Sequence, residues 1–146
     1  MESILISACL LGVNCKYSGG NNRCSAAEAL GERFHLVPVC PEQLGGLPTP
    51  RPPAERQGDR VISREGTDVT AQYRRGAEEA LLLAERFGCR LAVLKARSPS
   101  CGCRGIYDGA FTGTLVPGMG VTAELLVQSG IRVLSEEDLQ NSPDFS

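Results

Sequence analysis

Apolar and polar residues alternate along the chain in a way that predicts short buried strands separated by helices. Apolar runs bounded by turn-forming residues predict strands at 4–10, 34–40, 60–63, 90–96 and 131–135. Apolar spacing and helix start and stop signals predict helices at 25–33, 70–87, 121–129 and 136–140. The order of these elements indicates an α/β fold, a single-domain Rossmann-like three-layer arrangement with a mainly parallel sheet and helices on both faces.

Two long segments interrupt this pattern, and both follow a predicted strand. Residues 41–55 contain five prolines and two glycines, a composition that predicts a stiff loop without regular structure. Residues 97–120 are rich in glycine and are also predicted to form a loop. Loops at strand ends commonly carry function. The last six residues, 141–146, are predicted to be frayed.

Composition places the chain among ordinary globular proteins. A length of 146 residues predicts one domain spanning 1–146, and 42% hydrophobic residues supply a core that needs no disulfides. The net charge of −2 gives no sign of a nucleic-acid or membrane partner. No leader or spanning segment is expected, which favours a cytoplasmic location. Six arginines interleaved with acidic residues are interpreted as solvated surface: Arg51, Arg56, Arg60, Arg64, Arg74 and Arg75.

Seven cysteines stand in a chain that has a single histidine, and three of them lie at the ends of predicted strands. These three are Cys9, Cys40 and Cys101. Because the carboxyl ends of parallel strands share one edge of a sheet, we expect the three thiols to converge there. Thiolates without a histidine partner suit a soft metal centre, iron–sulfur before zinc. The alternative interpretation is that they are small buried core residues.

Three cysteines can supply three corners of a [4Fe–4S] cluster and leave one iron open as a Lewis acid. A fourth cysteine would instead close the site, and the candidates are Cys15, Cys24 and Cys103. The CxC pair that Cys103 forms with Cys101 is too weak a signal to identify a metal.

Polar residues accompany two of the three candidate ligands. Glu42 follows Cys40 by two residues and is either a proton relay or a solvated loop carboxylate. Ser98 and Ser100 precede Cys101, and their hydroxyls either bind a substrate or only shape a turn.

Six segments that together span about residues 3–139 resemble the thiouracil desulfidase family in its short, stand-alone form. In order, these segments are SACLLGVNCKYSGGNNRC, VPVCPEQLGGLPTPRPPAE, GTDVTAQYRRGA, LKARSPSCG, IYDGAFTGTLVPGMGVTAELL and GIRVLSEEDL. The segments are long and occur in the family's order, so the resemblance is specific. One departure is Cys103, which stands where the family has a small residue and can compete with Cys101 as a ligand or form a disulfide with it.

The resemblance implies a [4Fe–4S]-dependent enzyme that removes sulfur from 2- or 4-thiouracil or a related thiocarbonyl. Uracil and hydrogen sulfide would be released without a redox change. By motif, the implied ligands are Cys9, Cys40 and Cys101, with the substrate's sulfur on the open iron. Glu42 corresponds to the family's acid–base carboxylate and Ser98 to its serine. The expected partner is a small thiolated base, with no nucleic acid and no membrane.

Other functions stay open at this point. A non-catalytic iron–sulfur sensor would need a partner surface, which the sequence does not indicate. A cysteine-persulfide sulfurtransferase would need a thiol of lowered pKa. A structural zinc domain is possible by cysteine count, but a core of this size does not need a metal to fold. The sequence does not fix the oligomeric state.

Overall fold

A four-stranded parallel sheet forms the centre of the protein, for which a computed structural model describes residues 1–141. In chain order, the strands are β1 (Ser3–Ser7), β2 (His35–Val39), β3 (Ala54–Gln57), β4 (Arg60–Ser63), β5 (Leu91–Leu94), β6 (Gly105–Tyr107), β7 (Leu115–Pro117) and β8 (Arg132–Ser135). The central sheet has the order β2-β1-β5-β8, and all of its pairings are parallel. The other strands form two antiparallel hairpins, β3–β4 and β6–β7.

The helices connect these strands and cover the sheet. In chain order, they are α1 (Ser25–Ala29), α2 (Pro41–Leu44), α3 (Thr70–Arg86), α4 (Val121–Gln128) and α5 (Glu136–Asn141). Short 3-10 helices span Ala8–Leu11 and Leu30–Glu32. Buried residues recur on α3 every three or four positions, which is the spacing of a helix that packs one face on a sheet.

Successive residues of β1 point to opposite sides of the sheet, and each side has its own core. Ile4 and Ile6 pack in one cluster with buried residues of the α1 and α5 side. Leu5 packs in a second cluster, whose helical members are Ala80, Ala84, Ala123 and Leu126 on α3 and α4. Full burial of each such aliphatic side chain of β1 contributes about 1.5–3 kcal/mol. The predicted α/β fold with helices on both faces is therefore confirmed.

The strand predicted at 4–10 ends earlier than its apolar run suggests. It stops at Ser7, and Ala8–Leu11 form a 3-10 helix that Gly12 closes. Gly12 has φ 95°, in the left-handed region that favours glycine. The tight turn places Cys9 just beyond the edge of the sheet rather than within a strand.

The two predicted loops contain regular structure, so that part of the sequence prediction is wrong. Pro41–Leu44 form α2 because Cys40 is extended at the N-cap and proline is favoured in the first helical turn. β3 begins at Ala54, inside the proline-rich segment, and pairs with β4. The glycine-rich segment 97–120 contains the β6–β7 hairpin.

Two further sequence expectations concern the tail and the membrane. Apart from Asn141, the tail predicted to be frayed lies outside the described residues. Across residues 1–141, no helix combines the length and the apolar content that a membrane span requires.

Candidate active site

The carboxyl ends of β1, β2 and β5 open on a cavity of about 420 Å³. Cys9 follows β1, Cys40 follows β2 and Cys101 lies in the loop after β5. All three line this cavity. The parallel topology thus brings together three thiols from distant parts of the sequence, as the sequence predicts.

Two of these thiols are deeply buried, and burial raises their pKa. Cys101 has a pKa raised to about 12, mainly by burial, although Ser7 Oγ donates a hydrogen bond to its sulfur at 3.6 Å. The pKa of Cys9 is also raised, again chiefly by burial. In the free chain these groups are therefore neutral thiols at neutral pH, and a bound metal must displace their protons.

Cys40 lies closer to solvent and has a fourth cysteine beside it. Its sulfur donates to the carbonyl oxygen of Cys15 at 3.6 Å, and the Cys15 side chain also lines the cavity. The pKa of Cys15 is raised to about 12, mainly by burial and in part by the nearby Cys40. Of the possible fourth ligands, Cys15 thus lies at the site, whereas Cys24 and Cys103 do not line the cavity.

The donor set of the cavity suits a soft metal centre with thiolate ligands. Within residues 1–141, no group of three or more histidine, cysteine, aspartate or glutamate side chains could hold one metal ion. A [4Fe–4S] cluster takes cysteine thiolates as its protein ligands. Soft thiols that line the same cavity, without histidine among its lining residues, match that chemistry.

Glu42 lies in the first turn of α2 and is held by two donors. Its Oε1 accepts a hydrogen bond from Arg51 Nε at 3.0 Å and another from the Tyr73 hydroxyl at 2.8 Å. The Glu42 side chain is 16% exposed and that of Arg51 only 4%. The carboxylate is therefore a fixed part of the cavity wall, not a solvated loop residue.

Arg51 is buried, which contradicts its assignment to the solvated surface. Its guanidinium also donates to the Pro48 carbonyl, to Thr49 Oγ1 at 2.9 Å and to the Cys15 carbonyl at 2.9 Å. Residues of the proline-rich segment line the cavity and Arg51 is buried among them, so protein acceptors replace the water around its guanidinium. Because a buried ion pair needs all its hydrogen bonds, this network compensates for the loss of hydration.

The other five arginines that the sequence assigns to the surface differ in how exposed they are. Arg56 is half-buried, where it donates to the Met119 carbonyl at 2.7 Å and pairs with Glu124 at 2.9 Å. The surface assignment is confirmed for the remaining four, which are exposed: Arg60, Arg64, Arg74 and Arg75.

Tyr73 is a site residue that the sequence reasoning missed. Burial raises its pKa well above the usual range, and the negative charge of Glu42 raises it further, so the phenol stays a donor. A signal was available, because Tyr73 lies four residues before Ala77 on the buried stripe of α3. A buried tyrosine usually finds a polar partner for its hydroxyl.

Two glycines allow α2 to lie against α3 and so place Glu42 beside Tyr73. A Cβ atom on Gly76 would come within 1.9 Å of the Pro41 carbonyl oxygen, and one on Gly45 within 1.9 Å of the Gln72 carbonyl oxygen. The two helices thus touch backbone to backbone, a distance that no side chain would permit.

The loop that carries Cys101 is fixed by hydrogen bonds of its own. Ser98 lines the cavity, and its Oγ accepts hydrogen bonds from the N–H groups of Ser100 and Cys101, each at 3.1 Å. Ser100 is buried, bonds to Thr122 Oγ1 at 2.9 Å and does not line the cavity. This placement argues against the expected contact between Ser100 and a substrate.

Basic and aromatic side chains also line the cavity. Its basic residues besides Arg51 are Lys16, Arg64, Lys95 and Arg97, and its aromatic residues besides Tyr73 are Tyr17, Tyr107 and Phe111. Lys95 pairs with Glu136 at 2.9 Å, which ties the cavity wall to α5. A cavity that combines apolar and aromatic surface with a few polar groups is of the kind that binds small molecules.

Comparisons with known proteins agree with this geometry. A family model described as 2-thiouracil desulfurase matches residues 4–138. An uncharacterized Bacillus subtilis (strain 168) protein, YbbK, is 40% identical over 94% of this chain and 98% of its own length. A solved structure of the [4Fe–4S]-dependent thiouracil desulfidase TudS is 48% identical, with a TM-score of 0.91 over 97% of this chain and 95% of that one.

Proposed function

Because the chain belongs to the 2-thiouracil desulfurase family, we propose that it is a [4Fe–4S]-dependent desulfidase acting on thiolated uracil or a related thiocarbonyl. Water and the thiocarbonyl would give the carbonyl compound and hydrogen sulfide. The observation that carries this proposal is the convergence of three strand-end thiols on a cavity that is also lined by a half-buried carboxylate.

The proposed ligands are Cys9, Cys40 and Cys101, which leave one iron without a protein ligand. When bound, the cluster would supply a soft Lewis acid for the sulfur of the substrate. Cys15 is the alternative fourth ligand by position. With Cys15 coordinated, the site would be saturated and non-catalytic.

Glu42 is the proposed proton-transfer group. It would hold a water molecule, accept a proton as the water oxygen bonds to the ring carbon, and return a proton to the departing sulfur. The C=S double bond is replaced by a C=O double bond, and the two protons of water leave on the sulfide. No electrons enter or leave, so the reaction is hydrolytic.

Ser98 is proposed to help hold the substrate. Its oxygen already accepts two backbone N–H groups, so its own hydroxyl proton is free to point to a further acceptor. Since Ser98 lines the cavity, that acceptor can be a heteroatom of the ring.

The proposed partner is a small thiolated base, and the proposed setting is a reducing one such as the cytoplasm. All seven cysteines are free thiols, which are maintained in such compartments.

The sulfurtransferase alternative receives less support from the geometry. A persulfide carrier needs a thiol of lowered pKa, whereas burial raises the pKa of Cys9, Cys15 and Cys101.

The hydrolytic reaction can be tested with ¹⁸O-labelled water. Anaerobically reconstituted protein is incubated with 2- or 4-thiouracil in the absence of a reductant. We expect equal amounts of uracil and hydrosulfide, with one ¹⁸O atom in each uracil. Unlabelled uracil, or a requirement for an electron donor, would contradict the hydrolytic proposal.

A further inference from the structure

We propose that Tyr73 and Arg51 are positioning residues for Glu42, binding one oxygen of its carboxylate so that the other is presented to the substrate. This inference rests on the proposed function and adds two residues to it. Arg51 lies nine residues after Glu42 and Tyr73 lies 31 residues after it, and the fold brings both to the carboxylate.

The hydrogen-bond pattern is asymmetric. The Arg51 and Tyr73 donors both end on Oε1, and within residues 1–141 the structure gives Oε2 no donor. A carboxylate held at one oxygen cannot rotate freely about its last bond. Oε2 is thereby left as the oxygen that can hold a water molecule in the cavity that Glu42 lines.

The two donors come from separate elements, and both are rigid. Tyr73 lies on the buried face of α3, and its phenol keeps its proton because burial raises its pKa. Arg51 bonds to the Cys15 and Pro48 carbonyls as well as to Glu42. A fixed tyrosine and a fixed arginine together define one orientation of the carboxylate, which is what proton transfer at a set position requires.

The primary test is Tyr73→Phe, which removes the hydroxyl and keeps the ring that packs under α2. We expect kcat for thiouracil to fall roughly ten- to a hundredfold, as for loss of a hydrogen bond to a charged group. KM, iron content and visible absorption should change little, because the hydroxyl that is removed donates its hydrogen bond to Glu42.

A double-mutant cycle with Glu42→Gln separates positioning from an independent role. In the Glu42→Gln background, single-turnover rates should show no further loss on Tyr73→Phe, since the carboxylate to be positioned is gone. A Tyr73→Phe loss of equal size in both backgrounds, or no loss in the wild-type background, would overturn the proposal.

The same four proteins are compared by urea unfolding, which does not depend on activity. A non-zero coupling in the unfolding free energy is expected from the hydrogen bond itself. Coupling in stability alone, with additive effects on kcat, would show a structural contact and overturn the positioning role. A wild-type protein that holds iron but releases no hydrosulfide would contradict the proposed function. The urea-unfolding cycle would still show whether Tyr73 and Glu42 are energetically coupled.

Arg51→Lys tests the second donor. One ammonium cannot reach Glu42, Thr49 and the Cys15 carbonyl together, so we expect a loss in kcat at least as large as that of Tyr73→Phe. Arg75→Lys is the matched control, because Arg75 is exposed on α3, and it should leave kcat unchanged. If Arg51→Lys behaved like this control, Arg51 would not position Glu42.

Discussion

Cys9 and Cys101 would have to lose a proton before they could bind iron, and burial opposes that loss. The raised pKa values of Cys9 and Cys101 mean that a bare thiolate is unfavourable in this cavity. Metal coordination reverses the preference for the neutral thiol over the thiolate, because a bound cation stabilises the charged sulfur. At Cys9 and Cys101 the cavity thus favours either a neutral thiol or a metal-bound thiolate over a free nucleophilic thiolate.

Substituting each of the three proposed ligands with alanine should abolish the cluster. Cys9→Ala, Cys40→Ala or Cys101→Ala should leave little iron after anaerobic reconstitution, measured by iron analysis and visible absorption. Cys24→Ala is the matched control, since Cys24 does not line the cavity, and it should keep its iron. Full iron content in any of the first three proteins would remove that residue from the ligand set.

Glu42→Gln should keep the cluster and lose turnover. The amide has nearly the same shape but cannot accept a proton, so we expect hydrosulfide release to fall by about two to four orders of magnitude. Iron content serves as the control in the same sample. Undiminished release from an iron-loaded Glu42→Gln protein would exclude Glu42 from proton transfer.

At the residue scale, the sequence predicts the site residues that lie at strand ends. It does not predict the site residues that come from other elements and reach the cavity only in the folded protein. Cys9, Cys40 and Cys101 each follow a recognisable strand, and Glu42 accompanies one of them. Arg51 has no such signal. In the sequence it has the charge pattern of a surface residue, but in the folded protein it is buried.

At the scale of elements, the site depends on how closely α2 approaches α3. The approach is set by Gly45 and Gly76, whose missing side chains let backbone touch backbone. A similar contact holds the Cys101 loop, since a Cβ on Gly120 would come within 2.4 Å of the Ser100 carbonyl carbon. The N–H groups of Val121 and Thr122 donate to carbonyls of that loop at the start of α4.

Gly76→Ala should therefore separate α2 from α3. The methyl group overlaps the Pro41 carbonyl, so we expect a loss of roughly 1–3 kcal/mol in the free energy of unfolding. Displacement of Glu42 should also lower hydrosulfide release. Gly31→Ala is the matched control, because a Cβ there lies 3.5 Å from Leu36, an ordinary contact. Equal unfolding midpoints for the two variants would contradict the close-contact interpretation.

Most of the elements themselves are predictable, and the exceptions are local. The strands of the central sheet and the long α3 follow from apolar periodicity, which tertiary packing reinforces. α2, β3 and the β6–β7 hairpin are short and rich in proline or glycine, so their pattern is that of loops. β3, β6 and β7 form because a paired strand supplies their hydrogen-bond partners. α2 is a single turn whose hydrogen bonds are local, so its contact with α3, rather than its own pattern, makes it part of the site.

At the scale of the whole molecule, the proposed ligands connect the ends of three adjacent strands of one sheet. β2, β1 and β5 are neighbours in that order, so a bound cluster would link their following loops at a single point. Because the cluster can bind only the folded arrangement of these thiols, it should stabilise the fold by mass action.

Cluster removal should accordingly lower the thermal midpoint. Comparing reconstituted protein with chelator-treated protein under anaerobic conditions, we expect Tm to fall by roughly 10 °C. The Cys101→Ala protein is the control and should show no response to the chelator. Identical Tm values for the loaded and stripped wild-type protein would indicate that the cluster does not connect these loops.

Cluster-dependent removal of sulfur is the central claim, and its most direct measurement is hydrosulfide release as a function of iron content. Samples reconstituted anaerobically to different extents are assayed with 2- and 4-thiouracil. We predict a rate that rises in proportion to iron and reaches its maximum near four irons per chain, as for a [4Fe–4S] cluster. Release that is independent of iron, or none from fully loaded protein with either substrate, would contradict the account.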